Sequence, residues 1–125
     1  MALSRNFLII GALYLVIGIL LGSYMGASGD HALAPVHAHI NLLGFTLMSV
    51  FGLIYRVFPE MAASALARAH FWLHQLGAVV LLVGLFLMMG QIASPDAVGP
   101  ILPVAELAIL LGTLAFLLNL LRAAR

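Results

Sequence analysis

The groups in this 125-residue chain best suited to chemistry are its five histidines, four of which form two spaced pairs. The stretch PVHAHINLLGF puts His37 and His39 two positions apart at the head of an apolar run, and AHFWLHQLG puts His70 and His74 four apart. On a helix of 3.6 residues per turn, a spacing of two turns the side chains about 200° from each other, so His37 and His39 serve opposite faces and cannot chelate one ion. Such a pair can offer one axial bond on each face. Neutral imidazole is a common ligand of heme iron, and Ile40, Leu42, Leu43 and Phe45 supply apolar cover for a porphyrin. Bonds from both rings to headgroups or loop carbonyls at a wet helix start account for the pair equally well. His70 and His74 lie about 40° apart on one face, which suits a shared copper or zinc ion given a third ligand. The plainer assignment puts His70 with Trp72 in an aromatic belt at the inner interface and gives His74 a bond to a neighbouring helix.

The elements that must position these groups are long and apolar. The chain is 65% hydrophobic and 7% charged, with a mean hydropathy of +1.22. Four nearly charge-free runs, about 7–25, 37–58, 71–89 and 101–121, are each long enough to cross ~30 Å of hydrocarbon as a helix. The chain therefore reads as a single all-α domain, residues 1–125, that passes through a membrane four times. The first run exceeds the ~7–15 residues of a secretory h-region and is read as a span. Gly18, Gly22 and Gly26 repeat at the spacing that lets two membrane helices approach closely.

Arginine placement predicts orientation. Arg5 precedes the first run, Arg56 and Arg68 flank the turn between the second and third, and Arg122 and Arg125 follow the fourth. Basic residues beside spans stay in the cytoplasm, so both termini are expected inside and the Asp30 and Asp96 loops outside. A multi-pass protein of the inner (plasma) membrane is the implied setting. His31, His37 and His39 then gather near the outer surface, and His70 and His74 near the inner one. Glu106 enters the bilayer on the outer side about one turn into the fourth run. It is expected to be protonated and hydrogen-bonded, or ionised against a histidinium or a cofactor. Asn41, Tyr14, Gln75 and Asn119 are candidates for bonds between helices.

Several classes are excluded. Without cysteine there is neither a disulfide nor a thiolate metal site. A net charge of +1 gives no footprint for nucleic acid, and no phosphate loop, nucleophile elbow or zinc-protease pattern occurs.

VHAHINLLGFTLMSVFGLIYRVFPEM followed by ARAHFWLHQLG resembles a pair of helices in the heme-copper oxidase superfamily, the large subunit of cytochrome c oxidases and nitric oxide reductases. The match spans roughly 36–77 and rests on His37-Ala38-His39, Val57-Phe58-Pro59 and His70-Phe71-Trp72-Leu73. The resemblance implies that His37 corresponds to the ligand of a high-spin, gas-binding heme and His39 to an axial ligand of a low-spin heme. His70 corresponds to a position that holds no metal, and His74 receives no role. Family members have twelve helices in three groups of four. The three histidines of their second metal, their active-site tyrosine and the other low-spin ligand have no counterpart here, so oxygen or nitric oxide turnover is not expected. Three copies of a four-helix chain would restore twelve helices, with His39 of one copy and His37 of the next around one b-type heme.

The expected protein is thus a homotrimeric membrane cytochrome of the b type, its heme held by His37 and His39 near the outer leaflet. It would serve electron transfer with an unidentified donor or acceptor, or binding and sensing of O2 or NO. The alternative is a non-heme assembly or partner subunit of the oxidase-like fold, with copper or zinc on its histidines, His31, His70 and His74 included.

Overall fold

A computed structural model of the chain describes residues 2–123. Arg125, expected beside Arg122 after the fourth span, lies outside the described residues. The described chain is helical, with α1 (Ala2–Ser28), α2 (Ala34–His39), a π-helical segment (Ile40–Thr46), α3 (Leu47–Val57), α4 (Pro59–Ala62), α5 (Ala65–Met89), α6 (Pro95–Val98) and α7 (Leu102–Ala123). Four continuous spans, Ala2–Ser28, Ala34–Val57, Ala65–Met89 and Pro95–Ala123, are long and apolar enough to cross a membrane. Helices suit that solvent because each satisfies its own backbone groups where no water can.

The helices run past the apolar stretches from which they were read. Polar and small residues at the interface carry them on, since helix formation there needs no apolar side chain. α1 starts at Ala2, not about Phe7, and α5 at Ala65, not about Phe71, where the Ser64 hydroxyl accepts from the Ala67 amide at 3.0 Å. The second span begins at Ala34 with Pro35 in its first turn, a position where proline sacrifices no hydrogen bond. It stops at Val57 because Pro59 restricts Phe58, which adopts φ −116° and ψ 77°.

α1 packs along the second span and α7 along α5. Over an apolar 18-residue stretch of each, 44% of the third span and 11% of the fourth are buried within the chain, so α5 is the central helix and α7 presents most of its surface outward. Arg5 of α1 and Arg56 of α3 line one cleft, while Asp30 shares another with Met89 and Gln91. The up-and-down path thus gathers the chain start and the α3 end at one side, and two loops at the other.

Close approach of α1 to the second span depends on absent side chains. A Cβ on Gly44 would lie 2.5 Å from Cγ of Tyr14. On Gly22 it would meet Cε1 of His37 at 2.9 Å, and on Gly18 it would collide with the Asn41 amide. Gly26, the third member of the glycine series, faces open space. Gly44→Ala is therefore expected to lower stability by about 1–3 kcal/mol through overpacking, while Gly26→Ala changes it little; thermal melts in detergent compare the two.

Candidate heme-ligand site and buried histidine pair

His37 and His39 lie on α2, in ordinary α-helical geometry, and both are half-buried. Their two-residue spacing therefore acts as expected and sends the rings to opposite sides. The His37 ring rests against the bare backbone of Gly22 on α1. The Asn41 amide donates to its Nε2 at 3.2 Å, while His37 Nδ1 and Asn41 Oδ1 are buried with no partner among the described residues. Asn41, expected to bond between helices, thus bonds one turn back within its own span. Its amide nevertheless seats in the space left by Gly18, which gives the glycine spacing a polar purpose as well as a packing one.

His39 is held differently. Its Nδ1–H donates to the carbonyl of Pro35 at 2.7 Å. A carbonyl oxygen can only accept, so this bond fixes the proton on Nδ1 and leaves the lone pair on Nε2. Metal-binding histidines are commonly oriented in this way, with the second nitrogen anchored to a carbonyl. Residues Val36 and Ile40, on the helix face between the two imidazoles, border an apolar cleft of about 400 Å³ between α1, α2 and α5 that also takes in Tyr14, Leu82 and Phe86.

Beyond Ile40 the helix widens into the π segment, whose i→i+5 bonding adds one residue to the turn. Relative to an unbroken α-helix, that extra residue rotates α2, with both histidines, by about 100° against α3. Two contacts secure it. The Tyr14 ring occupies the space over Gly44, and His74 Nε2–H donates at 3.0 Å to the Leu43 carbonyl, one of the acceptors loosened by the wider turn.

His70 and His74 are both 0% exposed. His70 therefore does not join Trp72, 60% exposed, in an interfacial belt. The four-residue step from His70 to His74 makes about one α-helical turn, so both face the bundle interior where α3 and α1 cover them. His70 lies in a box of aromatic rings, with Phe51, Phe116 and Phe7 at centroid distances of 4.4, 5.2 and 5.3 Å, and its Nδ1 pairs with the Tyr55 hydroxyl at 2.9 Å. His74 sits nine positions into α5 and contacts the middle of the second span. It is not near the inner surface, but it does bond a neighbouring helix.

The remaining candidates stay apart. His31 is exposed in the α1–α2 loop, with Nδ1–H donating to the Gly29 carbonyl at 3.0 Å. Glu106 is exposed in the first turns of α7. Among the described residues no three His, Cys, Asp or Glu side chains converge to hold a metal. Gln75 and Asn119 do bond between helices, Gln75 to the Met48 sulfur at 3.4 Å and Asn119 to the Met61 carbonyl at 3.0 Å. The bearing of Tyr55 on His70 escaped sequence reasoning, although a tyrosine one turn before the helix stop at Phe58-Pro59 was a visible polar signal.

His74→Ala removes the donor to Leu43 and leaves a buried carbonyl unpaired, at a cost of about 1–3 kcal/mol. His74→Gln is expected to recover part of that loss. Amide hydrogen exchange over residues 40–46 measures both, with faster exchange expected for alanine. Compared with known protein families, curated proteins and solved structures, the chain finds no match.

Proposed function

We propose that this membrane protein holds a b-type heme through His39, near the outer end of the second span, and serves electron transfer or binding of a diatomic gas. The observation that carries the reading is the bond from His39 Nδ1–H to Pro35 at 2.7 Å, which presets Nε2 as a ligand on a half-buried ring. A heme held there would supply one-electron redox chemistry or a binding site for a diatomic gas. The chain's own part is to anchor the imidazole, exclude water with apolar side chains such as Val36 and Ile40, and keep His37 and His39 on separate faces.

His37 fits less directly. As folded, its ring is turned into its own protomer against Gly22 and Asn41. Holding a heme together with a neighbouring copy would require the His37 ring to leave that seat. His39 is accordingly assigned as the anchored ligand and His37 as the exchangeable one.

A trimer of this chain, with both termini cytoplasmic in the inner membrane, accords with three features. Five arginines flank the spans on one side in the sequence. α7 exposes most of its surface. Glu106 is exposed about one turn into α7, where an unpaired charge within a membrane is costly, so contact with another copy would relieve it. The relation to the heme-copper oxidase large subunit rests on the His37–His39, Phe58-Pro59 and His70-Phe71-Trp72 elements, and turnover of oxygen is not part of the proposal.

Reduced-minus-oxidised spectra of variants test the assignment. His39→Ala is expected to lose the heme signal, and His37→Ala to keep it. Carbon monoxide added to the ferrous wild type separates the two functions, since a large spectral shift marks an open axial position and gas binding. A full signal in His39→Ala would contradict the assignment.

A further inference from the structure

The inward-facing pair His70 and His74 is not used by the proposed heme site, and the position of His70 holds no metal in the family that the chain resembles. Each ring carries one buried nitrogen with no partner among the described residues, Nε2 of His70 and Nδ1 of His74. Buried polar atoms without partners are rare enough that each calls for a cause, and an ion or a water is the usual one.

Protonation narrows the choice. His74 Nε2 faces the Leu43 carbonyl and must carry the proton, so the unpartnered Nδ1 has the lone pair. His70 Nδ1 lies 2.9 Å from the Tyr55 hydroxyl. With Nδ1–H donating to that oxygen, Nε2 of His70 also presents a lone pair, and a carbonyl or hydroxyl anchor on the opposite nitrogen is the usual support of a metal-binding imidazole. The two ring centroids are 5.9 Å apart and the planes are inclined at 71°. An imidazole nitrogen binds a metal ion at about 2.0–2.1 Å, so two rings that share one ion hold their centroids about 6 Å apart.

The surroundings select the ion. The pair is walled by Phe7, Phe51 and Phe116, and Met48 and Met61 are buried in the same core cluster. Every aspartate and glutamate of the chain, Asp30, Glu60, Asp96 and Glu106, is exposed. A divalent ion would carry its full charge into an apolar interior with neutral ligands and, among the described residues, no third side chain of the usual kinds, since no group of three converges there. A soft monovalent ion needs fewer donors; imidazole is a good copper ligand, and nearby thioethers favour the monovalent state. The geometry points to a two-histidine site for Cu(I), formed by His70 Nε2 and His74 Nδ1 and supported by Tyr55 and the Leu43 carbonyl. It lies within one protomer and is independent of the heme assignment.

The test is anaerobic titration of the purified full-length protein with Cu(I) against a chromogenic competitor. The wild type and a His37→Ala/His39→Ala double variant are both expected to bind one Cu(I) per chain. His74→Gln keeps an amide donor for Leu43 and is expected to bind at least tenfold more weakly. Tyr55→Phe, which deprives His70 Nδ1 of its anchor, is expected to weaken binding about 10–100-fold. X-ray absorption of the loaded double variant reads the site without altering it, and two imidazole nitrogens at about 2 Å are expected. No uptake by the wild type, loss of uptake in the double variant, or unchanged affinity in His74→Gln would overturn the site and leave water as the partner of both nitrogens.

Discussion

The bond from His74 Nε2–H to the Leu43 carbonyl, 3.0 Å long, ties the central helix to the widened part of the second span. A membrane interior offers no water to a loosened carbonyl, so a π turn there persists only where a protein donor meets it. With that donor in place, α2 is rotated relative to α3 and delivers His37 to Gly22 while His39 turns the other way. The same residue closes the buried core around His70, Phe51 and Phe7. One imidazole therefore links the deep aromatic cluster to the span that carries His37 and His39.

The two histidines of α2 differ in how they are restrained, although the sequence presents them symmetrically. His39 is anchored through its own helix, to the Pro35 carbonyl four residues earlier. His37 is held across helices by glycine-made space and by Asn41. A ring fixed by its own backbone keeps its geometry whatever assembles around it. A ring seated against α1 can be released by a shift of that helix, and this difference underlies the assignment of His39 as the firm ligand.

The four spans were legible because apolar length alone demands them, and the opposed faces of His37 and His39 followed from helical rotation. Helix ends were less legible, since Ala2–Asn6 and Ala65–His70 are helical without being strongly apolar. The π segment is hidden in the sequence because no single residue type marks a widened turn within 37–58; Gly44 acquires meaning only with Tyr14 over it. His70 was misplaced for a related reason. Two residues before Trp72 in sequence, it points about 200° away from it on the helix, into the aromatic box rather than toward lipid.

The central claim is that one imidazole per chain is prepared to hold heme iron within the membrane. The most direct measurement is the reduced-minus-oxidised absorption spectrum of the purified native protein, quantified as heme per chain. A b-type difference spectrum with stoichiometric heme is the result this account requires, and a colourless protein from heme-replete cells would contradict it.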